Sequence, residues 1–144
     1  MMLQQRSTTP PDLSFDHALE IVRLTTEKAK EMQFAVVVCI RDRHDNLVAH
    51  VRMKGALLGS IDLACQKARS SALFPFPSAF AAGFPGVELS NGIISPLGGG
   101  LPLLTKDGVS AGSVGISGAP TGDEDVAIAQ VAVDNIDFIL ENYW

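Results

Sequence analysis

Two cations and a run of glycines are the residues of this sequence whose types and positions point to binding chemistry. Arg52 ends an apolar, strand-like run, Lys67 lies in a helix-like run, and Gly99 and Gly100 belong to "PLGGGLP". Two cations and free backbone N–H groups can share one carboxylate or another small anion. The sequence therefore predicts an anion site at these four residues, although two solvated charges would give the same pattern.

The glycines between Pro96 and Gly118 do not match a nucleotide-binding loop. A dinucleotide fingerprint follows a strand and opens a helix, whereas Gly112, Gly115 and Gly118 are spaced by threes inside a strand-like run, and the lysine of a P-loop is missing. Glycine weakens the interior of a strand unless another group must approach closely. These glycines predict a bare sheet face that meets a helix, another subunit or a flat ligand, and close packing is the simplest of the three.

Motifs for nucleophilic and thiol chemistry are incomplete. The segment "GISGAP" has Ala119 where a hydrolase elbow needs its last glycine, so Ser117 is interpreted as structural. Cys39 lies in an apolar, strand-like run and Cys65 in a helix-like one. Neither belongs to a CxxC or CxxCH pattern, which leaves zinc, disulfide and covalent haem attachment without their signatures. Both are expected to be buried thiols.

The histidines and the acidic cluster are not spaced as metal ligands. His17, His44 and His50 are dispersed, and no HExxH or paired-carboxylate motif surrounds them. Three consecutive acids, from Asp123 to Asp125, open a helix-like segment, where the helix dipole already accounts for them. The sequence therefore predicts no metal site.

Length and composition indicate one folded domain. The chain has 144 residues, 47% of them hydrophobic and 19% charged, which suffices for a single core. A net charge of -5 with scattered basic residues argues against nucleic acid as a partner. No apolar run reaches the roughly 20 residues of a membrane span, and "MMLQQRSTTPPDL" lacks the apolar core of a signal peptide. We expect a cytoplasmic protein with a flexible lead over 1–12 and one domain over 13–144.

Hydrophobic periodicity predicts the elements that must position these residues. A helix follows a Ser14 cap, the runs "QFAVVVCIRD" and "HDNLVAHVRM" form a hairpin, and a second helix runs from a Ser60 cap to about Ala72. Three more strand candidates follow, "NGIIS", "LPLLT" and "GVSAGSVGISG", and a last helix opens at Thr121 with Glu124 three residues on. The order αββαβββα predicts an α+β sandwich with a largely antiparallel sheet.

The segment from Phe74 to Asn91 has no sustained period and carries four of the seven phenylalanines. It is interpreted as an irregular, apolar loop. Its rings either plug the core or a subunit contact, or form a lid over a pocket.

Three stretches of the chain share the motif order of a known family. They read "CIRDRHDNLVAHVRMKGA", "SIDLACQKARSSA" and "GGGLPLLTKDGVSAGSVGISGAPTGDEDVA". From about Leu13 onward the chain resembles the GlcG/HbpS-like family, which also includes the C-terminal domain of PduO. It departs from the family pattern at Asp45 and Asn46, which replace a glycine turn, at Lys54, which replaces a frequent Asp, and at Ser71, where Thr is common.

The resemblance implies a profilin-like α/β/α arrangement around a five-stranded antiparallel sheet, and homo-oligomers in which glycine-rich surfaces meet. Some members of the family bind haem without covalent attachment, and others accompany glycolate, glycerol or propanediol metabolism. Noncovalent haem needs an apolar slot, cations for its propionates and an axial side chain. On this chain the resemblance implies a Phe-rich lining, Arg52 or Lys67, and as axial ligand His17, because the first turn of the first helix can reach across a subunit contact.

Three functions follow from these observations. The leading hypothesis is an oligomeric binding or accessory protein for a small anionic or haem-like ligand, in cofactor, glycolate, diol or glycerol metabolism. A second is an enzyme acting on a small hydroxy or carbonyl compound, with Arg52 and Lys67 orienting the substrate and Asp123 or Glu124 carrying a proton. A third is a structural assembly subunit with the Phe-rich segment as its contact surface.

Overall fold

The computed structural model describes residues 11–144 and arranges them in three layers. The helices and strands are, in order, α1 (Phe15–Glu31), β1 (Val37–Asp42), β2 (Leu47–Arg52), α2 (Gly59–Leu73), β3 (Gly100–Leu104), β4 (Ser110–Ser117) and α3 (Gly122–Asn142). Two 3-10 helices, Ser78–Gly83 and Val87–Ser90, lie between α2 and β3. Most of the predicted flexible lead falls on residues 1–10, outside the described range.

The four strands form one antiparallel sheet in the order β2-β1-β4-β3. Val37 of β1 lies opposite Arg52 of β2 on one side and opposite Ser117 of β4 on the other. Gly100 of β3 lies opposite Gly115 of β4. Because successive side chains of a strand point to opposite faces, each strand serves both helical layers.

The two faces of the sheet carry cores of different size. α1 and α3 cover one face, and the fully buried side chains there include Ile21, Val38, Ile40, Leu103, Val114, Ile116, Ile128 and Ile136. α2 covers the other face, where the buried set is small: Val37, Cys39, Ala56, Ala64 and Ala68. The smaller side chains let α2 come closer to the sheet.

A glycine in β4 sets how close α2 comes. A Cβ added at Gly115 would lie 2.1 Å from the carbonyl oxygen of Ala64 and 2.9 Å from the Cβ of Ala68. Any side chain there would push the helix away, since cores are packed without spare volume. Close packing against a helix is therefore confirmed as the role of this glycine.

The segment "NGIIS" does not form the predicted fifth strand. Asn91 and Gly92 have left-handed backbone, with φ of 59° and 79°. The amide of Ser95 donates to the hydroxyl of Ser70 at 2.6 Å, so it does not pair with a strand. The prediction of five strands is wrong in this respect: the sheet has four, and the order is αββαββα.

The helix caps agree with the sequence at two of three positions. The hydroxyl of Ser14 caps α1 and that of Thr121 caps α3, both as predicted. The predicted Ser60 cap is wrong, because α2 begins at Gly59 with Leu58 at the N-cap position and Ser60 is buried in its first turn. Within residues 11–144, none of the helices combines the length and the hydropathy that crossing a membrane requires.

Candidate functional site

A buried ion pair joins two of the helices beside the glycine-rich start of β3. Nζ of Lys67 lies 3.0 Å from Oδ2 of Asp125 and donates a second hydrogen bond to the carbonyl oxygen of Ile116 at 2.9 Å. Oδ1 of Asp125 accepts from the amide of Ala119 at 3.0 Å. The two charged side chains are only 3% and 5% exposed, so their charges are neutralised by each other rather than by water.

The environment of Asp125 shows how strongly the pair depends on its partners. Burial raises the pKa of Asp125 above its ordinary value, although the Ala119 amide and the Lys67 ammonium both favour the charged carboxylate. A buried charge that loses its partner costs several kcal/mol. The arrangement is that of a pair that holds α2 and α3 in place.

Three of the four residues predicted to bind an anion do meet. A Cβ added at Gly100 would lie 2.2 Å from the carbonyl oxygen of Lys67, and one added at Gly99 would lie 3.0 Å from Cδ of Lys67. Arg52 stays apart, exposed at the end of the edge strand β2, with β1 between it and β4. Arg52 is on β2, and Nζ of Lys67 is hydrogen-bonded to Ile116 on β4, which is two strand spacings or about 10 Å away from β2. Arg52 and Lys67 therefore do not bind the same small anion without rearrangement. Anion binding at these residues stays a prediction.

Neither of the acids suggested as a proton carrier lies beside Lys67. Asp123 is exposed, and Oε1 of Glu124 accepts from the hydroxyl of Thr121 at 3.2 Å. Asp125 occupies that place instead. The sequence contained a signal for it, because Asp125 lies three residues before the buried Ile128 and so shares the buried face of α3.

The Phe-rich segment forms the wall of a cavity of about 600 Å³. The ring of Phe80 stacks on Phe76 with centroids 5.3 Å apart and lies 5.8 Å from Phe84. These rings are 51–58% exposed, so they do not plug the core. The hydroxyl of Ser78, which also lines the cavity, accepts from the amide of Gly100 at 2.9 Å. The segment therefore encloses an apolar space, and its exposed rings are also available for a subunit contact.

His17 is held at the start of α1 by two backbone groups. Nδ1 accepts from the amide of Ser14 at 3.0 Å, and Nε2 lies 2.7 Å from the carbonyl oxygen of Tyr143. Because Nδ1 accepts, the neutral ring carries its proton on Nε2 and donates it to Tyr143. The hydroxyl of Ser14 in turn accepts from the amide of His17 at 3.1 Å, which completes a capping box with histidine in place of the usual glutamate.

A cleft of about 360 Å³ borders Tyr143, next to His17. Its lining consists of Asp16, Leu19, Glu20, Arg23, Asn142, Tyr143 and Trp144. The hydrogen bond and the charge of Arg23 lower the pKa of Glu20 below its ordinary value. A guanidinium, a phenol and two exposed apolar side chains, Leu19 and Trp144, thus surround one end of the α1–α3 layer.

The other two histidines lie far from this cleft in the chain. His44 is exposed in the β1–β2 turn, and His50 lies on β2 with Nε2 3.0 Å from the carbonyl oxygen of Ile61. Among the side chains that the structure describes, no group of three or more His, Cys, Asp or Glu residues is placed to hold a metal ion.

Fold and comparison together define the class of this protein. It is a mixed α+β protein in which three helices sandwich an antiparallel sheet. The chain belongs to the HbpS-like family, since the family model described as "Haem degrading protein HbpS-like" matches residues 13–134. The family suggested by the motifs is thereby confirmed.

Individual relatives agree with this assignment. The corrinoid adenosyltransferase PduO of Salmonella typhimurium is 34% identical over 136 residues, which cover 89% of this chain and 40% of PduO. The chain thus spans about two fifths of that relative. The crystal structure of Klebsiella pneumoniae protein ORFY is 28% identical, with a TM-score of 0.81, and the match covers 98% of this chain and 99% of ORFY. The crystal structure of a PduOC:Heme complex is 30% identical, with a TM-score of 0.76, and covers 92% and 97% of the two chains.

Proposed function

We propose that the protein binds haem noncovalently at the cleft beside His17 and serves as a haem-binding or accessory protein. The family description and the likeness to the PduOC:Heme complex support haem as the ligand. We choose this site because of the position of His17. Its Nε2 is covered by the carbonyl of Tyr143, which borders the cleft that also contains Arg23.

The cleft and the neighbouring His17 supply groups of each kind that noncovalent haem needs, but His17 is buried beside Tyr143 and is not part of the cleft lining. Nε2 of His17 would be the axial donor, and Leu19 and Trp144 would contact the macrocycle. Arg23 pairs with Glu20 and Glu27, so it would have to exchange one of these carboxylates for a propionate. Bound haem supplies an iron centre that can exchange an electron or take a further ligand.

Ligation by His17 requires a local rearrangement. The carbonyl of Tyr143 must leave Nε2, and the ring proton must move to Nδ1, which ends the hydrogen bond that Nδ1 accepts from Ser14. Ligating histidines keep their proton on the other ring nitrogen. Haem binding is therefore coupled to movement of the last two residues, Tyr143 and Trp144.

The Phe-lined cavity is the weaker fit for the iron. It is larger and apolar, but none of the lining residues that the structure describes is a histidine, cysteine, methionine, tyrosine, lysine or arginine. It can accept an apolar group but offers no axial donor and no partner for a propionate.

We also propose that the protein is a homo-oligomer whose contact includes the cleft end of the α1–α3 layer. Phe15, Phe138 and Trp144 are 67%, 60% and 91% exposed there, and large exposed apolar side chains mark contact surfaces. A cytoplasmic accessory role in cofactor, glycolate, glycerol or diol metabolism is part of the same proposal.

A haemin titration followed in the Soret region tests the proposed site. The parent should bind haemin with a saturable, stoichiometric spectral shift, and His17→Ala should lose it or bind at least about tenfold more weakly, because even the loss of a hydrogen-bond partner of a metal ligand costs about 10- to 100-fold. His44→Ala is the matched control and should bind like the parent, because His44 is exposed in a turn. Circular dichroism must show that His17→Ala is folded. Binding that survives in His17→Ala but is lost in Phe80→Ala would move the site to the Phe-lined cavity, and weak, non-saturating binding in every variant would overturn haem binding altogether.

A further inference from the structure

Two cysteines from different layers meet on the α2 face of the sheet. Cys39 is in the middle of β1, Cys65 is on α2, and their sulfur atoms are 3.2 Å apart. We propose that Cys39 and Cys65 are an oxidant-sensitive dithiol that closes to an intramolecular disulfide when a peroxide reaches Cys65. This inference is independent of the haem proposal, since the pair lies between β1 and α2, on the face of the sheet opposite α1 and His17.

The geometry needs only a small movement. A disulfide bond is about 2.0 Å long, so the sulfur atoms must approach by about 1.2 Å from their present 3.2 Å. The side chains packed around the pair, such as Ala64 and Ala68, are small and do not separate the sulfurs. The sequence did not indicate this pairing, because the cysteines are 26 residues apart and meet only through the packing of α2 on β1.

The two thiols are not equivalent. Cys39 is completely buried, and this burial raises its pKa well above the ordinary value, with the neighbouring Cys65 adding to the effect. Cys65 is only partly buried and faces the exposed His50. A reagent from solvent therefore meets Cys65 first, and Cys39 is left to resolve the product.

His50 is placed to take the proton of Cys65. It lies directly opposite Cys39 in the β1–β2 ladder, so both side chains share the α2 face. Its Nε2 lies 3.0 Å from the carbonyl oxygen of Ile61 and carries the ring proton, which leaves Nδ1 as the acceptor. Sγ of Cys65 lies 3.6 Å from Nδ1 and 3.5 Å from Nε2, and of the two nitrogens only Nδ1 has a lone pair free to accept the thiol proton in this tautomer.

The chemistry balances with a peroxide as the oxidant. The Cys65 thiolate attacks one peroxide oxygen, the O–O bond breaks, and the leaving oxygen takes the proton held by His50 to become water. The sulfur of Cys39 then attacks the sulfenic sulfur of Cys65, the S–O bond breaks, and the departing hydroxide takes the Cys39 proton to form a second water. Two thiols lose two electrons in total, and the peroxide gains them.

The test uses the full chain, reduced and then freed of reductant, with hydrogen peroxide as the probe. The parent should lose both thiols together, fall in mass by about 2 Da, and yield a single peptide pair joined through Cys39 and Cys65 in a non-reducing digest. Dithiothreitol should restore both thiols. Oxygen added to Cys65 without a cross-link, a disulfide between two chains, or two thiols that stay free would each overturn the proposal.

Two variants separate the roles of the residues. Cys39→Ser should stop at the sulfenic acid of Cys65, which dimedone traps, because the resolving sulfur is gone. His50→Gln should slow the loss of thiols by at least about tenfold, as expected when a proton acceptor is removed. His44→Gln, exposed in the nearby turn, is the matched control and should react like the parent. If His50→Gln loses its thiols as fast as the parent, His50 is not the proton acceptor. If Cys39→Ser does not fold, the measurements on the parent and on the two histidine variants still decide the dithiol proposal.

Discussion

Lys67 and Asp125 form their ion pair past the end of the sheet, although the helices that carry them, α2 and α3, pack on opposite faces. The two side chains pass each other at Gly99, where an added Cβ would lie 3.0 Å from Cδ of Lys67 and 3.0 Å from Cβ of Asp125. The glycine-rich start of β3 thus leaves the space through which one layer is tied to the other.

The first prediction concerns this pair. Lys67→Met leaves the Asp125 carboxylate buried without its cation and should lower the free energy of unfolding by about 3–5 kcal/mol. Adding Asp125→Asn removes the unpaired charge and keeps an acceptor for the Ala119 amide, so the double variant should be more stable than Lys67→Met alone. Urea unfolding measures both, and a double variant less stable than the single one would contradict the account.

The second prediction concerns the contact between β4 and α2. Gly115→Ala places a methyl group 2.1 Å from the carbonyl oxygen of Ala64, so it should destabilise the protein by about 1–3 kcal/mol through overpacking. Gly59→Ala, in the same helix layer, is the control, because a Cβ there meets nothing within 4 Å. Thermal unfolding should show a lower midpoint for the first variant alone. Equal midpoints for the two variants would mean that α2 can shift without cost.

The third prediction is a pH dependence at the cleft. The hydrogen bond and the charge of Arg23 lower the pKa of Glu20 below its ordinary value of 4.5, so the charged form is favoured in the folded state. The resulting stability is present above that ordinary value and is lost as the pH falls through the lower, folded-state value. Glu20→Gln should therefore be less stable than the parent at neutral pH, and the difference should vanish in acid. Urea midpoints measured across the acid range test this, and a difference independent of pH would rule it out.

The fourth prediction concerns small anions at Arg52, Lys67, Gly99 and Gly100. Because Asp125 neutralises Lys67, most of the net attraction for an anion at this end of the sheet must come from Arg52. If glycolate binds there, Arg52→Ala should weaken it by about tenfold or more, because a hydrogen bond to a charged group contributes about 1.5–3 kcal/mol. Calorimetric titration of the parent, Arg52→Ala and the control Arg43→Ala measures this. Equal affinities in all three would place any anion site elsewhere.

The fifth prediction concerns assembly. In light scattering, the parent should exceed its chain mass of 15.3 kDa at micromolar concentration. Phe138→Asp introduces a charge into the exposed apolar end of the α1–α3 layer and should shift the mass toward the monomer. A monomeric parent would exclude the oligomer, whereas an unchanged mass in Phe138→Asp would move the contact to another surface, such as the Phe-lined cavity.

Local pattern was enough to predict most of the elements but not the contacts that make the sites. Hydrophobic periodicity and the Ser14 cap predict α1, because both are properties of a few neighbouring residues. The strand expected at "NGIIS" fails because the left-handed backbone of Asn91 depends on the turn around it rather than on the β-branched residues that follow.

The missed contacts share one physical reason, which is their separation along the chain. Lys67 and Asp125 are 58 residues apart, and His17 and Tyr143 are 126 residues apart. Each of these two contacts forms only when the layers pack together, so the local sequence around either partner does not predict it. The glycine-rich strand could be interpreted from sequence, because glycine in a strand interior itself indicates the close approach of another backbone.

The cap of α1 also brings the ends of the described chain together. The hydroxyl of Ser14 donates to the carbonyl oxygen of Trp144, and His17 donates to the neighbouring carbonyl of Tyr143. In a variant limited to residues 14–144, a short linker can therefore join Ser14 to Trp144, with new termini opened at the exposed turn around Asn46, and such a circular permutant should keep the sheet order. The linker would also hold the Tyr143 carbonyl over Nε2 of His17. We therefore expect the permutant to fold with the same sheet and to bind haemin more weakly than the parent, because the cleft opens less readily.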